Sequence, residues 1–483
     1  MGPKYKTVFY VSKTAAVLVT MLFAALLISV TILAALYTIL RIGHGNVTIH
    51  KEPTQVPIAF RSNFAATTQK SSRPGIWDHY RLPQTLAPMN YQLELWPRLD
   101  PDQDGTYRFT GEANITFQCK AETDVILLHN SHLNVTVVQL EIVSGGTEVS
   151  LVLDVWKAEV NLYMVLELNT TLKKDSLYVL RRIFTGAIRE KMYMYGLFII
   201  HYIDEGRNMS VVASQMEPTY ARSVFPCFDE PAMKATFDVR IVHLYNYVAL
   251  SNMPAVDVTV RDDENGHIWN VTTFSMTPKM STYITAFVVC EFDYVSKSEG
   301  SNKIRVWARK SSIQNGEADY ALNVTAPILT HLENFFNVSY PLSKTDLVAL
   351  PDFTASAMEN WGLMVYMEDS LLHNQMKASL DQRAVICTVI AHELGHQWFG
   401  NLVTMNWWNH LWLKEGLATF VEYLVPHYVD PQMKLNELHA FADMQEMFST
   451  DSFLMSRPLT VKEEEIRSHQ ILPMFDLVTY NKV

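Results

Sequence analysis

The sequence predicts an α+β fold in which a membrane anchor and a stalk precede a β-rich domain and then a domain of mixed helices and strands. Three patterns support this prediction: an uncharged N-terminal segment, period-two alternation of apolar residues from about residue 91, and helical stretches after about residue 317. Alternation with period two is typical of half-buried strands, whereas apolar residues three and four positions apart indicate helices. The sequence shows no internal repeat and no low-complexity run.

Length and composition exclude several classes of protein. The 483 residues leave room for two or three domains at about 100 to 200 residues each. Hydrophobic residues make up 48% and charged residues 18%, so a wholly disordered or collagen-like chain is excluded. The net charge of -11 lacks the cationic field that nucleic-acid binding needs, so we expect no nucleic-acid partner. Four widely spaced cysteines cannot form a disulfide scaffold or a CxxC metal site.

Residues 15–40 are predicted to anchor the chain in a membrane, because these 26 residues carry no charge. As a helix they would extend about 39 Å at roughly 1.5 Å per residue, enough to cross a hydrocarbon core of about 30 Å. The alternative is a cleavable signal peptide, whose apolar stretch is usually about 7 to 15 residues. Lys4, Lys6 and Lys13 precede the segment, so the positive-inside rule leaves residues 1–14 in the cytosol. We therefore expect a single-pass type II protein of the plasma membrane.

Composition divides the rest of the chain. Residues 41–75 are rich in Ser, Thr, Asn and Pro without apolar periodicity, which is typical of a solvated stalk. Period-two alternation then predicts a β domain over 76–292, and a mixed domain over 293–483 contains helical stretches around 317–336, 381–399 and 410–425. Eight Asn-x-Ser/Thr acceptors agree with passage through the secretory pathway. They begin at Asn46, Asn114, Asn134, Asn169, Asn208, Asn270, Asn323 and Asn337.

The segment AlaHisGluLeuGlyHisGlnTrpPheGly at 391–400 contains a metal-binding pattern. His392 and His396 are four residues apart, so on a helix they lie about 40° apart and both imidazoles can reach one ion. The run 384–399 is apolar on nearly every side and predicts a buried helix, where histidine and glutamate need a partner or a metal. Chance gives at most about 0.05 such matches in this composition. The alternative is a set of satisfied polar residues in the core of two packed helices.

Glu415 is the predicted third ligand, since it follows His396 by eighteen intervening residues on a helix that can fold back antiparallel. Two histidines and a glutamate leave a fourth position for water, which is typical of catalytic rather than structural zinc. Zinc acidifies that water and polarises a carbonyl, so Glu393 is the predicted base of a peptide hydrolase. Glu422 has two readings: a partner for a ligand histidine or, as favoured here, a solvated or helix-pairing glutamate.

Three further motifs accompany the zinc pattern: SerAlaMetGluAsn at 356–360 followed by TrpGly, ProCysPheAspGluPro at 226–231, and GluProThrTyrAlaArg at 217–222. With them, the sequence from about residue 76 onward resembles the membrane zinc aminopeptidases, the gluzincin family of aminopeptidase N, aminopeptidase A and their oxytocinase relatives. The resemblance implies a saddle-like β domain, a thermolysin-like catalytic domain and one Zn²⁺ per chain. It also implies peptide substrates with a free N-terminus, and a homodimer is possible.

The same resemblance implies a substrate-binding edge and an oxyanion donor. In the family a Gly-Ala-Met-Glu-Asn strand edge binds the substrate main chain, and its glutamate, here Glu359, holds the N-terminal ammonium together with Glu217. A tyrosine, here Tyr480, stabilises the oxyanion, whereas without the resemblance all three would read as ordinary packing or strand residues. The implied substrate-binding residues are Gln215, Glu217, Ser356, Ala357, Met358, Glu359 and Asn360.

Several positions depart from the family pattern. Ser356 replaces the usual glycine, which affects the shape of the substrate-binding edge. Lys414 stands where relatives mostly carry asparagine and could compete for the adjacent carboxylate of Glu415. Gln215 and Tyr220 stand where acid-preferring, calcium-assisted members carry aspartates, so a glutamyl or aspartyl preference is disfavoured.

Three functions follow from these residues. The first is a zinc metallo-aminopeptidase at the extracellular surface. The second is a catalytically silent surface protein that binds or adheres, suggested by Ser356 and Lys414. The third, an endopeptidase, is disfavoured by the paired glutamates. Because family ectodomains continue well beyond the tyrosine, we also expect the 483-residue chain by itself to be poorly active or inactive, with Tyr480 frayed.

Overall fold

The computed structural model describes residues 74–143, 152–190, 194–263, 266–374, 380–431, 434, 435, 437, 443–454 and 456–482. All of them belong to one unit of the chain, Ser62–Val483. The predicted tail 1–14, the anchor 15–40 and almost all of the stalk lie outside the described residues. Within the described residues, no helix has both the length and the apolar character to cross a membrane.

The first part of the described chain consists almost entirely of strands. The period-two alternation places every second side chain of the first strand in the core, where Tyr91, Leu93 and Leu95 are almost fully buried. The strands are β1 (Leu86–Pro97), β2 (Arg108–Cys119), β3 (Thr123–His129), β4 (Asn134–Ile142), β5 (Val152–Ala158), β6 (Tyr163–Leu172), β7 (Leu177–Ala187), β8 (Gly196–Asp204), β9 (Arg207–Gln215), β10 (Thr236–Leu244), β11 (Val248–Ser251), β12 (Ala255–Asp262), β13 (Ile268–Phe274) and β14 (Phe287–Cys290).

These strands form three sheets. The largest has the order β12-β13-β10-β1-β2-β7-β4, in which β1 pairs antiparallel with β2 and parallel with β10. The other two have the orders β11-β14-β9-β8 and β3-β6-β5. The chain leaves β9 at Gln215, so the next residues, including Glu217, are held at the end of a buried strand.

The architecture changes at Asp293, where a mixed sheet and a set of helices begin. The sheet has the order β15-β16-β17-β19-β18, which places β18 at an edge. Its strands are β15 (Asp293–Glu299), β16 (Asn302–Ala308), β17 (Lys344–Leu350), β18 (Ala357–Met358) and β19 (Leu363–Met367). The α-helices are α1 (Lys310–Gln314), α2 (Asp319–Phe336), α3 (Leu380–Gly395), α4 (Leu411–Val429), α5 (Asp443–Asp451), α6 (Ser468–Ile471) and α7 (Leu477–Asn481).

Short 3₁₀ helices complete the described elements. They are Ile76–Asp78, Ala221–Ser223, Thr282–Ile284, Glu368–Ser370, Trp408–His410, Glu463–Glu465 and Leu472–Met474. The predicted helical stretches around 317–336, 381–399 and 410–425 therefore correspond to α2, α3 and α4, with the third helix continuing to Val429.

Two of the sequence motifs meet in a buried ion pair. The Arg222 guanidinium donates from Nε to Oδ2 of Asp229 at 2.8 Å, and both side chains are almost fully buried. The other oxygen of Asp229 accepts from the Thr282 hydroxyl at 2.7 Å, so the carboxylate is satisfied on both sides. Removing one member of such a pair typically costs about 3–5 kcal/mol because a buried charge is left alone. The pair therefore fixes the turn that follows Glu217. Cys227, inside the second of these motifs, is a buried free thiol.

Candidate metal centre

The zinc pattern lies at the C-terminal end of α3. His392 and Glu393 occupy its last turn, and the His396 amide donates to the His392 carbonyl at 3.1 Å, so helical spacing continues to the second histidine. The helix α4 packs against α3 and carries Glu415 in its first turns. The buried faces of both helices thus bring the predicted ligands together.

Gly395 allows the two helices to approach closely. A Cβ atom at this position would lie 2.5 Å from Cγ2 of Val421, a buried side chain of α4, and 3.5 Å from the Cα of Ala418. The 2.5 Å distance to Val421 is too short for two carbon atoms, so a side chain at position 395 would displace Val421 or separate the helices.

Gly395→Ala is therefore expected to weaken both the fold and the metal site. Overpacking costs typically about 1–3 kcal/mol, partly offset by the roughly 1 kcal/mol by which alanine favours a helix over glycine. Denaturant unfolding and competition with a zinc chelator measure the two effects. The matched variant Gly395→Ala/Val421→Ala removes the methyl group that clashes, so it should lose less than the sum of the single changes. Unchanged zinc affinity in Gly395→Ala would contradict the argument.

Three ligand atoms converge in the described site. The Nε2 atoms of His392 and His396 are 3.0 Å apart, and Oε2 of Glu415 lies 3.5 Å and 3.2 Å from them. These three side chains form a group whose ligand atoms all lie within 4.8 Å of one another. The structure therefore brings together the three residues that the sequence predicts as ligands.

The Nδ1 atoms of both imidazoles, which lie away from the three converging ligand atoms, donate hydrogen bonds. His392 donates from Nδ1 to Oε2 of Glu422 at 2.9 Å, and His396 donates from Nδ1 to the Phe399 carbonyl at 3.0 Å. Each neutral ring then carries its lone pair on Nε2, the atom that faces the site. The favoured reading of Glu422 as a solvated or helix-pairing residue is wrong: it is the partner of a ligand histidine. The sequence spacing does not predict the partner of Glu422, because the residue lies two turns beyond Glu415 and its side-chain rotamer determines which group it contacts.

The donor set fits a zinc ion. Two imidazole nitrogens 3.0 Å apart with a carboxylate oxygen beside them can all bind one cation, and two histidines with a glutamate are a common ligand set of catalytic zinc. Burial alone would lower the pKa of His392, but the Glu415 and Glu422 carboxylates raise it well above its ordinary value. The excess of negative charge around the imidazole thus favours a cation at this point.

Glu393 faces the same space as the ligands. It is almost fully buried, and its Oε2 accepts no hydrogen bond from any described residue. Burial raises the pKa of Glu393 to about 8, with His392 opposing the shift and Glu359 adding to it. A carboxylate whose pKa lies near neutrality is suited to taking up and returning a proton.

These residues line a cavity of about 340 Å³, a size that suits a small ligand. Of the predicted site residues, the cavity lining includes Gln215, Glu217, Ala357, Met358, Glu359, His392, Glu393, His396, Glu415 and Tyr480. Ser356 and Asn360 are not among the described lining residues. The lining also contains Tyr195, which the sequence did not indicate; its ring stacks on Tyr220 with centroids 4.5 Å apart.

The residue after edge strand β18 is hydrogen-bonded to side chains that follow helix α3. The Glu359 carbonyl accepts from Gln397 Nε2 at 3.0 Å and from Asn401 Nδ2 at 2.8 Å. The Ser356 carbonyl accepts from the Met367 amide at 3.0 Å, so the serine backbone continues the pairing with β19. Gln397 and Asn401 are therefore positioning residues that sequence reasoning missed. The spacing offered one signal, because Gln397 lies one helical turn after Glu393.

Tyr480 lies beside the candidate metal ligands. It lies in α7, whose N-cap Asp476 accepts from the Thr479 amide at 3.0 Å and pairs with Arg457 Nε at 2.8 Å. Its ring centroid lies 6.0 Å from that of His392. Burial and the nearby Glu415 raise the pKa of the Tyr480 hydroxyl well above its ordinary value, so it remains a proton donor. The capped helix places the Tyr480 ring beside that of His392.

Comparison with known proteins identifies the family. The model described as Peptidase M1 N-terminal domain matches residues 87–284, and the one described as Peptidase family M1 domain matches residues 320–483. Aminopeptidase Q of Mus musculus is 41% identical over 507 residues, which cover 100% of this chain and 90% of that relative. The chain belongs to peptidase family M1.

Other M1 relatives are longer than this chain. Aminopeptidase Q of Acinonyx jubatus is 45% identical over 508 residues, which cover 100% of this chain and 51% of the relative. Aminopeptidase N of Homo sapiens is 41% identical over 482 residues, covering 98% and 49% respectively. The chain thus spans about half the length of these curated relatives. The predicted family is confirmed.

Within the M1 family the sequence is similar to laeverin, also called aminopeptidase Q, at 45% identity in Acinonyx jubatus and 43% in Homo sapiens. The segments PheTyrValSer at 9–12, LeuAlaAlaLeuTyr at 33–37 and SerGlnMetGluProThr at 214–219 indicate this similarity, and the comparisons confirm it. M1 peptidases are zinc-dependent, which agrees with the donor set that His392, His396 and Glu415 provide.

In this M1 chain Lys414 occupies the middle of the carboxylate cluster. Its Nζ lies 2.7 Å from Oε1 of Glu217, 2.7 Å from Oε1 of Glu359 and 2.7 Å from Oε1 of Glu415. The side chain is 2% exposed. The sequence raised the possibility that Lys414 contacts Glu415, and the structure adds the two glutamates that the family resemblance assigns to the substrate ammonium.

Lys414 sets the charge state of the cluster. Burial and Glu359 raise the pKa of Glu217 well above its ordinary value. Burial would also raise the pKa of Glu359, but the Lys414 ammonium lowers it. For Glu415 the effect of burial is overcome by Lys414 and His396, which lower its pKa well below the usual range. Glu415 therefore stays ionised, with Oε2 towards the imidazoles and Oε1 bound to the lysine.

Proposed function

We propose that this chain carries the active site of a zinc-dependent aminopeptidase that removes N-terminal residues from peptides at the extracellular surface, anchored through residues 15–40. The observation that supports this function best is the single cavity shared by the three metal-ligand candidates, the buried Glu393, the Tyr480 side chain and the edge strand β18. A peptide hydrolase needs these groups within reach of one carbonyl. His392, His396 and Glu415 would hold the ion.

Each group has a chemical task. Bound zinc supplies Lewis acidity, which polarises a carbonyl and acidifies water. Glu393 accepts the proton of the attacking water and returns it to the leaving amine, and its pKa of about 8 suits both transfers. The Tyr480 hydroxyl donates to the oxygen that becomes negative. An extended peptide can add to the edge strand β18 through main-chain hydrogen bonds.

Glu415→Ala tests the assigned metal site. We expect a large loss of bound zinc, because two imidazoles alone hold the ion weakly and a catalytic site needs three protein ligands. Elemental analysis after dialysis gives the zinc content, and turnover of an aminoacyl amide gives the activity. Glu464→Ala, which removes an exposed glutamate outside the cavity, is the matched control. Full zinc content in Glu415→Ala would rule the residue out as a ligand.

A second candidate function is a catalytically silent surface protein that binds peptides without cleaving them. Lys414 favours it, because its ammonium lies 2.7 Å from the carboxylates of Glu217 and Glu359, two residues that line the cavity. The two candidates differ in one measurement: zinc-loaded protein that binds peptides but turns over neither free nor N-acetylated substrates is the silent protein.

A further inference from the structure

We propose that Lys414 is a specificity-determining residue that occupies part of the ammonium subsite, so that this site binds the N-terminal ammonium of a peptide less tightly than two glutamates without the lysine would. This inference rests on the proposed zinc aminopeptidase and concerns how strongly its site selects a free N-terminus. It limits the expectation from family resemblance that Glu217 and Glu359 are both available to the substrate ammonium.

The lysine ammonium lies where a substrate ammonium would bind. Its Nζ donates a hydrogen bond to Oε1 of Glu359 at 2.7 Å, and Oε1 of Glu217 and Oε1 of Glu415 lie within ion-pair distance, each at 2.7 Å. A peptide α-ammonium has three donors and would need the same oxygens. The two cations therefore compete for one position, and the lysine is covalently attached to the helix that forms the site.

The surroundings keep the lysine in place. Its Nζ lies 5.6 Å from the ring centroid of Tyr283 and 5.9 Å from that of Phe475, within reach of both aromatic faces. The Tyr283 hydroxyl donates to the Gly400 carbonyl at 3.1 Å, which fixes that ring. Moving the ammonium out of this cluster would leave buried carboxylates without a partner.

The charge balance determines how strongly a substrate ammonium is held. The Lys414 ammonium already balances one negative charge of the cluster and lies 2.7 Å from an oxygen of Glu217 and 2.7 Å from an oxygen of Glu359. A second ammonium beside it would meet a like charge at close range in a buried site, where repulsion is strong. An acylated N-terminal residue brings no charge and needs none of these oxygens. The lysine thus weakens the advantage that a free N-terminus has over a blocked one at this site.

A pair of zinc-binding ligands tests this inference. Leucine hydroxamate carries a free ammonium and N-acetyl-leucine hydroxamate does not, while both bind zinc through the same group. Titration calorimetry on the zinc-loaded full 483-residue chain gives the ratio of the two dissociation constants, independently of turnover. We expect the wild type to distinguish the two ligands only weakly. Lys414→Asn and Lys414→Met should each shift the ratio towards the free amine by about tenfold or more.

The matched control is Lys234→Met. This half-buried lysine donates to the Asn401 and Leu402 carbonyls at 3.0 and 3.1 Å, next to the zinc helix, but contacts none of the cavity carboxylates. Its replacement should leave the ligand ratio unchanged. A wild type that prefers the free-amine ligand tenfold, with the same ratio in Lys414→Asn, would overturn the role of Lys414 and leave the zinc peptidase standing. A wild type that binds no zinc would overturn both.

Discussion

Replacing Glu393 by Gln is expected to lower the turnover of peptide amides by about 10²–10⁴-fold, the range that general acid–base groups contribute. The zinc content should not change, because Gln keeps the shape of the side chain and the three candidate ligands are untouched. The loss should appear in kcat, since the amide can neither take the proton from water nor return it to the leaving group.

A variant at the neighbouring Gln397 serves as the control for this prediction. Gln397 lies one turn after Glu393 and donates to the Glu393 and Glu359 carbonyls, so it supports the site without facing the reacting atoms. Gln397→Glu would disturb the position of the edge strand and should raise KM more than it lowers kcat. Both variants are measured on an aminoacyl fluorogenic amide and on its N-acetylated counterpart. Activity of Glu393→Gln above a few per cent of the wild type would refute its role as the base.

The sequence predicts the metal ligands because their relations are local or nearly so. The helical period alone places His392 and His396 on one face, and an antiparallel return of the next helix brings Glu415 to them. The same reasoning extends to strands β1 and β10, whose buried side chains largely alternate as the sequence pattern predicts. These features need no knowledge of distant packing.

The parts that the sequence does not predict depend on where long side chains end. Lys414 precedes a ligand, and its four-carbon side chain can reach solvent, the ligand or another element. Only the tertiary structure shows that it ends between Glu217, which follows β9, and Glu359, which follows β18. The hydrogen bond between His392 and Glu422 is equally hard to predict from the sequence, because the packing of α3 and α4 determines the rotamer of Glu422. Rotamer choice is a tertiary property, so spacing leaves it open.

Lys414 changes the contacts of a residue whose role the family resemblance implies. A motif implies a role through the contacts that its residues make, and here Glu359 keeps its place in the motif while its carboxylate binds a lysine of the same chain. The metal side of the site keeps its expected partners, since Oε2 of Glu415 faces both imidazoles. Family likeness therefore supports the chemistry of the centre more strongly than it supports the specificity of the subsite.

Tyr480→Phe is the second change with a large expected effect, a fall in kcat of about 10²–10³-fold, as found when one oxyanion donor is removed. The phenyl ring keeps the packing beside His392, so thermal unfolding and zinc content should match those of the wild type. KM should change little, because the hydroxyl acts on an oxygen that becomes negative only in the transition state.

The matched control for this change is Tyr195→Phe, which removes the hydroxyl of another tyrosine in the cavity wall. The Tyr195 ring stacks on Tyr220, whereas the Tyr480 ring lies beside the ligand histidine. If the effect arises from donation to the oxyanion, Tyr195→Phe retains nearly full kcat and Tyr480→Phe does not. Equal losses in both variants would show that the hydroxyls act through cavity polarity alone, and the oxyanion role of Tyr480 would have to be abandoned.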